Sequence, residues 1–164
     1  MNKRSAEHID PRDAGLRTLD LKRPVFSAEA IARADETLKA MAGSMQQWIE
    51  TDMNKLQELR LTAERARWSA ASVEALMGAA HDLKGLGETY GYPLVTTIAA
   101  SLCQLTETDA GKAAVARDPQ LARAHVDALR AIVRDGIRSP DHPTGAALRR
   151  TLEAEVAKLG VAPR

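Results

Sequence analysis

The segment ALMGAAHDLKGLGETYGYP, residues 75–93, holds the residues best placed to do chemistry. His81 stands at its centre, with Lys84 three residues later, Gly78 before it and Gly85 after it. A neutral imidazole offers a ring nitrogen as nucleophile, and an ammonium one helical turn away can neutralise an anion placed on that nitrogen. Acceptance of a phosphoryl group is the reaction this pair suits. On a helical wheel, Leu76, Ala79, Leu83, Leu86 and Tyr90 collect opposite His81 and form the expected buried stripe. Glu74, Met77, Gly78, Lys84, Gly85 and Glu88 fall within about 60° of the histidine. Glycine weakens a helix interior by roughly 1 kcal/mol relative to alanine, so two of them beside one imidazole call for a reason. Without side chains at 78 and 85 the ring projects from a lowered surface that a partner can approach closely. The arrangement suits a site that is itself a substrate, with the catalytic machinery arriving on a partner.

The elements that position this face are helical. From Ser27 as N-cap, apolar residues recur at three and four: Ile31, Leu38, Met41, Met45, Trp48, Met53, Leu56 and Leu59. One helix to Ala66 would be roughly 60 Å long. Gly43-Ser44 is the natural place to break it in two, and a single long helix is the alternative. The histidine helix follows over about residues 72–90, capped by Ser69 or Ser72. Gly91 ends it by taking positive φ, and Pro93 opens the next helix, which runs to Glu107. TDAGKAAVARDP reads as a loop. Pro119 starts a further helix through QLARAHVDALRAIVRDGIR, SPDHPTG is a linker, and a last amphipathic helix spans about Ala146 to Leu159. The expected fold is all-α, an antiparallel four-helix bundle with appended N- and C-terminal helices. Residues 1–26 read as a flexible tail, 27–138 as the bundle domain, and 139–164 as linker plus C-terminal helix.

His81-Asp82-Leu83-Lys84-Gly85, with Gly91 ten positions after the histidine, resembles the histidine-containing phosphotransfer domain of two-component phosphorelays. That family's pattern is histidine, an apolar residue two on, lysine three on, glycine four on and a second glycine ten on, and the order of helices over residues 44–138 also fits it. The resemblance implies that His81 accepts a phosphoryl group from the phosphoaspartate of a receiver domain, or from a hybrid sensor histidine kinase. His81 would then pass the group to an aspartate of a response regulator. It implies phosphoryl stabilisation by Lys84, clearance for the receiver at Gly85, and no cofactor of its own, Mg²⁺ being carried by the receiver. Gly78, Met77, Glu74 and Glu88 would line the docking surface. Leu86 and Gly87 depart from the small residues that commonly follow Lys-Gly, and Leu86 is expected to pack in the core. Some members orient the imidazole with a glutamine of the next helix, a role for which Gln104 is near the right height.

Composition narrows the alternatives. Lys and Arg number 23 against 22 Asp and Glu, so a net charge of +1 gives no basic field for nucleic acid. A 45% apolar content with only 3% aromatic residues points to a helical protein. The lone Cys103 excludes an internal disulfide or CxxC site and is expected to be a small buried residue. No apolar run reaches the ~18 residues of a membrane span, and MNKRSAEHIDPRDAG lacks the apolar core of a secretory signal. A cytoplasmic monomer is therefore expected. A sensor-kinase dimerisation domain would carry a proline soon after the basic residue and a separate nucleotide-binding domain, neither of which is present, so no autokinase activity is expected. The other reading is a helical adaptor or interaction module without phosphotransfer. His125 shares a face with Leu121, Ala128 and Ile132 and reads as a partly buried, hydrogen-bonded residue, not a second acceptor. His8 and His142 fall in the tail and the linker. Asp82 and Asp127 adjoin histidines but point about 100° away, and no pair has metal-ligand spacing. Met41, Met45, Met53 and Trp48 read as core.

Overall fold

Six helices, and no other regular element, make up the described part of the chain, residues 27–160 of the computed structural model. They are α1 (Ala28–Arg65), α2 (Ala70–Leu86), α3 (Pro93–Glu107), α4 (Asp109–Arg117), α5 (Gln120–Arg134) and α6 (Pro143–Lys158). The sequence reading of residues 1–26 as a tail lies outside the described residues. No helix among the described residues is long and apolar enough to cross a membrane.

The chain divides after Met41 into two units. The described residues of the first begin at Ser27, whose Oγ accepts from the Ala30 amide at 3.2 Å, the capping bond its residue type predicts. Ile31, Leu38 and Met41 on this part of α1 are exposed, so Met41 is not the core residue expected from its spacing.

The second unit, residues 42–164, carries the core. α1 is one uninterrupted helix, and the break expected at Gly43-Ser44 does not occur, because a single exposed helical glycine costs only about 1 kcal/mol. Its buried residues are Ile49, Met53, Leu56 and Ala63. Trp48, 55% exposed, corrects the expectation of a core tryptophan, since one residue from Ile49 is a rotation of about 100°. α2 and α3 form a helical hairpin whose facing residues, Leu76, Leu83, Leu94, Ile98 and Leu102, are almost wholly buried. α3 is the central element, packing also on α4, α5 and α6.

Four segments differ from the sequence reading. The histidine helix ends at Leu86, not Tyr90, and its buried face includes Ser72, Val73 and Ala80. That rotates the face away from Leu86, which sits roughly 60–80° from Leu83 and Leu76 and is 39% exposed, not a core packer. TDAGKAAVARDP is not a loop but contains α4, begun by Thr108, whose Oγ1 accepts from the Gly111 amide at 3.1 Å. Only Gly111 and Val115 of α4 are buried, a single i,i+4 pair and too short a stripe to show a period. α5 stops at Arg134, where Gly136 turns the chain with φ of +63°. α6 starts at Pro143, inside the expected linker, and His142 caps it by accepting from Gly145.

His125 lies in the centre of the unit, fully buried. Its Nδ1 is 2.8 Å from the Leu121 carbonyl, which can only accept, so Nδ1 carries the proton and Nε2 accepts from the Ser101 hydroxyl at 2.9 Å. Burial pushes its pKa down to about 4, with the Leu121 carbonyl acting weakly the other way. Cys103 is buried as expected.

Candidate functional site

α2 buries the side formed by Val73, Leu76, Ala79, Ala80 and Leu83, which leaves His81, Lys84, Gly78, Gly85 and Glu74 exposed and Met77 half-buried. His81 makes no hydrogen bond or ion pair among the described residues, so both ring nitrogens face solvent. The imidazole is therefore accessible to a reactant, and nothing among the described residues must be displaced first.

The two flanking glycines are not packing glycines. A Cβ built on Gly78 or on Gly85 meets nothing within 4 Å, so no neighbouring helix requires bare backbone there. The two other glycines of this hairpin behave oppositely. A Cβ on Gly87 would lie 2.7 Å from the Thr96 backbone nitrogen, which makes Gly87 the close contact between the two helices. Gly91 has φ of +80°, and a Cβ on it would also lie 2.9 Å from Nη1 of Arg138. It terminates the turn as the sequence requires. Openness at 78 and 85 beside closeness at 87 separates two glycines in open space from one that the packing of the hairpin requires.

The turn is held firmly. The Glu88 amide donates to Thr96 Oγ1 at 2.8 Å and the Tyr92 amide to the Gly87 carbonyl at 2.8 Å. Tyr92 donates its hydroxyl to Gln46 Oε1 of α1 at 2.9 Å, and the Arg138 guanidinium stacks over its ring at 4.4 Å. Glu88 therefore belongs to this turn and not to the helix face on which the wheel placed it, because α2 has already ended at Leu86.

Lys84 forms no ion pair among the described residues, and its ammonium is close enough to Cys103 of α3 to pull that thiol's pKa down. Burial, aided by the Glu107 carboxylate, outweighs that pull and pushes the Cys103 thiol up to about 11. An uncommitted cation thus stands one turn from the imidazole, on the side toward α3. Sequence reasoning missed Lys55, which reaches from α1 to Asp82, the residue beside His81, at 3.7 Å. Both partners are about 60% exposed, so the pair leaves no net charge beside His81 and adds little stability. No local signal predicts it, since the two residues are far apart in sequence. Gln104 is half-buried, and His81 accepts no bond from it.

Among the described residues, no three His, Cys, Asp or Glu side chains converge to hold a metal ion. What the face can do is offer one nucleophilic ring, one free ammonium and a low surface between them. A comparison with protein-family models, with curated proteins and with solved structures finds no match to this chain.

Proposed function

We propose that this chain is a histidine phosphotransfer protein, in which His81 carries a phosphoryl group between receiver domains. In this reading α2, α3, α5 and the bundle-packed part of α1 correspond to the four helices of such a domain, with α4 and α6 added. The observation that carries the proposal is the exposed, unpartnered His81 between two glycines whose missing side chains no packing requires, with Lys84 one turn on. An adaptor surface has no need of that combination.

The chemistry is an in-line displacement. A ring-nitrogen lone pair of His81 attacks the phosphorus of a receiver's phosphoaspartate. The bond from phosphorus to the aspartate oxygen breaks, and its electron pair returns to the carboxylate. The reverse step delivers the group to the aspartate of the next receiver. Lys84 neutralises the equatorial oxygens while they are on the ring, and Gly85 and Gly78 admit the acidic pocket of the receiver to that distance. Mg²⁺ held by the receiver supplies the remaining charge neutralisation. The donor would be the receiver of a hybrid sensor kinase, and the carrier would work as a cytoplasmic monomer.

Intact-mass analysis after treatment with phosphoramidate, a donor needing no partner, tests this directly. The native protein should gain one acid-labile phosphoryl group, His81→Gln should gain none, and Lys84→Gln should label more slowly. No label, or equal labelling of native protein and His81→Gln, would refute the proposal.

A further inference from the structure

Lys55 of α1 holds Asp82, the residue next to His81, with Nζ 3.7 Å from Oδ2. Both side chains are exposed, and neither has another charged or hydrogen-bonding partner among the described residues. An open pair of this kind is weak, so a stronger anion can part it.

The surface between this pair and the imidazole is bare. Taking His81 as zero around the axis of α2, Gly85 falls at about 40°, Gly78 at about 60° and Asp82 at about 100°. Lys84 and Met77 fall on the other side, at about −60° and −40°. A Cβ on either glycine meets nothing within 4 Å, so no side chain stands between the ring and Lys55. Consecutive Cα atoms are about 3.8 Å apart, and a lysine ammonium rides on a flexible four-carbon stem. The Lys55 ammonium can therefore cross to the ring while α1 and α2 stay in place.

A phosphoryl group on His81 upsets the pair. It brings about two negative charges and three acceptor oxygens beside a carboxylate that carries one charge and two oxygens. The ammonium then has a stronger partner than Asp82.

Resting on the phosphotransfer reading, we propose that Lys55 is a second phosphoryl-stabilising residue. Asp82 holds its ammonium while His81 is bare, and the ammonium passes to the phosphoryl oxygens once the ring is loaded. Lys84 and Lys55 then flank the group from opposite sides of α2. The exchange sets the lifetime of the loaded carrier. In hydrolysis, water gives its oxygen to phosphorus and a proton to the ring nitrogen, which keeps the electron pair of the broken phosphorus–nitrogen bond, and inorganic phosphate leaves. A neighbouring ammonium disfavours that proton on the ring, and a neighbouring carboxylate favours it. Lys55 on the phosphoryl group thus slows loss to water, and Asp82 left alone beside the ring speeds it.

The test needs no receiver. Native protein, Lys55→Gln, Lys55→Arg, Asp82→Asn and the double variant Lys55→Gln with Asp82→Asn are labelled with phosphoramidate and freed of it. Loss of the label is then followed by intact mass at pH 7 and low salt. The half-life should shorten about threefold in Lys55→Gln, the effect of one exposed ion pair, and stay native in Lys55→Arg. It should lengthen in Asp82→Asn, and adding Lys55→Gln to that variant should still shorten it. These differences should fade in 1 M salt, where the Debye length is about 3 Å. A native half-life in Lys55→Gln overturns the proposal and leaves the phosphotransfer reading standing. An effect of Lys55→Gln that vanishes beside Asp82→Asn also overturns it, since the lysine then only screens the carboxylate. So does an effect that arginine does not rescue and high salt does not remove, which would belong to the fold. Native protein that takes no label at His81 overturns both readings.

Discussion

Replacing Gly78 and Gly85 by alanine should make the protein more stable and a poorer partner. Gly78 is in the middle of α2, eight residues from either end, and a Cβ there meets nothing within 4 Å. The full interior-helix difference of about 1 kcal/mol in favour of alanine should therefore appear, with no clash to offset it. Gly85 is the penultimate residue of α2, where the difference shrinks to roughly half. The two sites are two turns apart, about 10 Å along the axis, so their effects should add to about 1.5 kcal/mol. For a chain of this size that corresponds to a rise in Tm of about 3–6 °C. Urea unfolding at pH 7, followed by far-UV circular dichroism, measures it as a shift in midpoint at constant slope. Phosphoramidate labelling of His81 should be unaffected, while transfer to a receiver domain slows, most of all for Gly85→Gln. A destabilised double alanine variant would refute the claim that these positions face open space. A stabilised variant that exchanges phosphoryl groups with receivers at the native rate would refute the claim that the glycines exist for clearance.

Two further outcomes follow from buried groups. His125 has its folded pKa near 4, below the ordinary 6.5, so between those values the unfolded chain binds the extra proton and stability falls as pH falls. The stability that goes with the neutral ring is complete above about pH 6.5, and about 2 kcal/mol of it should be gone at pH 5. Denaturation midpoints at pH 7 and pH 5 should differ much less in His125→Gln, and an equal loss in both proteins would refute the assignment. Cys103, with its thiol pushed up to about 11 and buried, should not react with a disulfide reagent at pH 8 until denaturant is added. A native thiol titrating at the unfolded rate would contradict its burial.

What the sequence makes legible is decided by how far a pattern reaches. The hairpin of α2 and α3 could be read because Leu76, Leu83, Leu94, Ile98 and Leu102 repeat over four turns and Gly91-Tyr92-Pro93 punctuates them. The exposure of His81 followed from the same periodicity, since a residue opposite a buried stripe faces water. Periodicity says which way a residue faces but not whether another element covers it. Spacing alone therefore suggests a core place for Met41 and Trp48, which are exposed, and Leu86 falls at the rim of a buried face that Val73 and Ala80 pull round. α4 escaped because nine residues with one buried i,i+4 pair carry no period. Lys55 near Asp82 depends on which helices meet, and no local pattern encodes that.

The two helical histidines of the second unit show how environment divides one side chain between two tasks. Burial suppresses protonation of His125, which keeps its ring neutral. It is nevertheless barred from chemistry, because Nδ1 donates to Leu121, Nε2 accepts from Ser101, and no face of the ring reaches solvent. A phosphoryl group on either nitrogen would cost a buried hydrogen bond and bring uncompensated negative charge into the core. His81 carries neither penalty: among the described residues no hydrogen bond holds its ring, and Lys84 stands one turn away. On the phosphotransfer reading, selectivity for position 81 over position 125 needs no catalytic apparatus in this chain. On that reading, packing therefore favours a label at His81 over one at His125. A second label mapped to His125 in the folded protein would mean that the Ser101–His125–Leu121 arrangement opens, and the bundle with it.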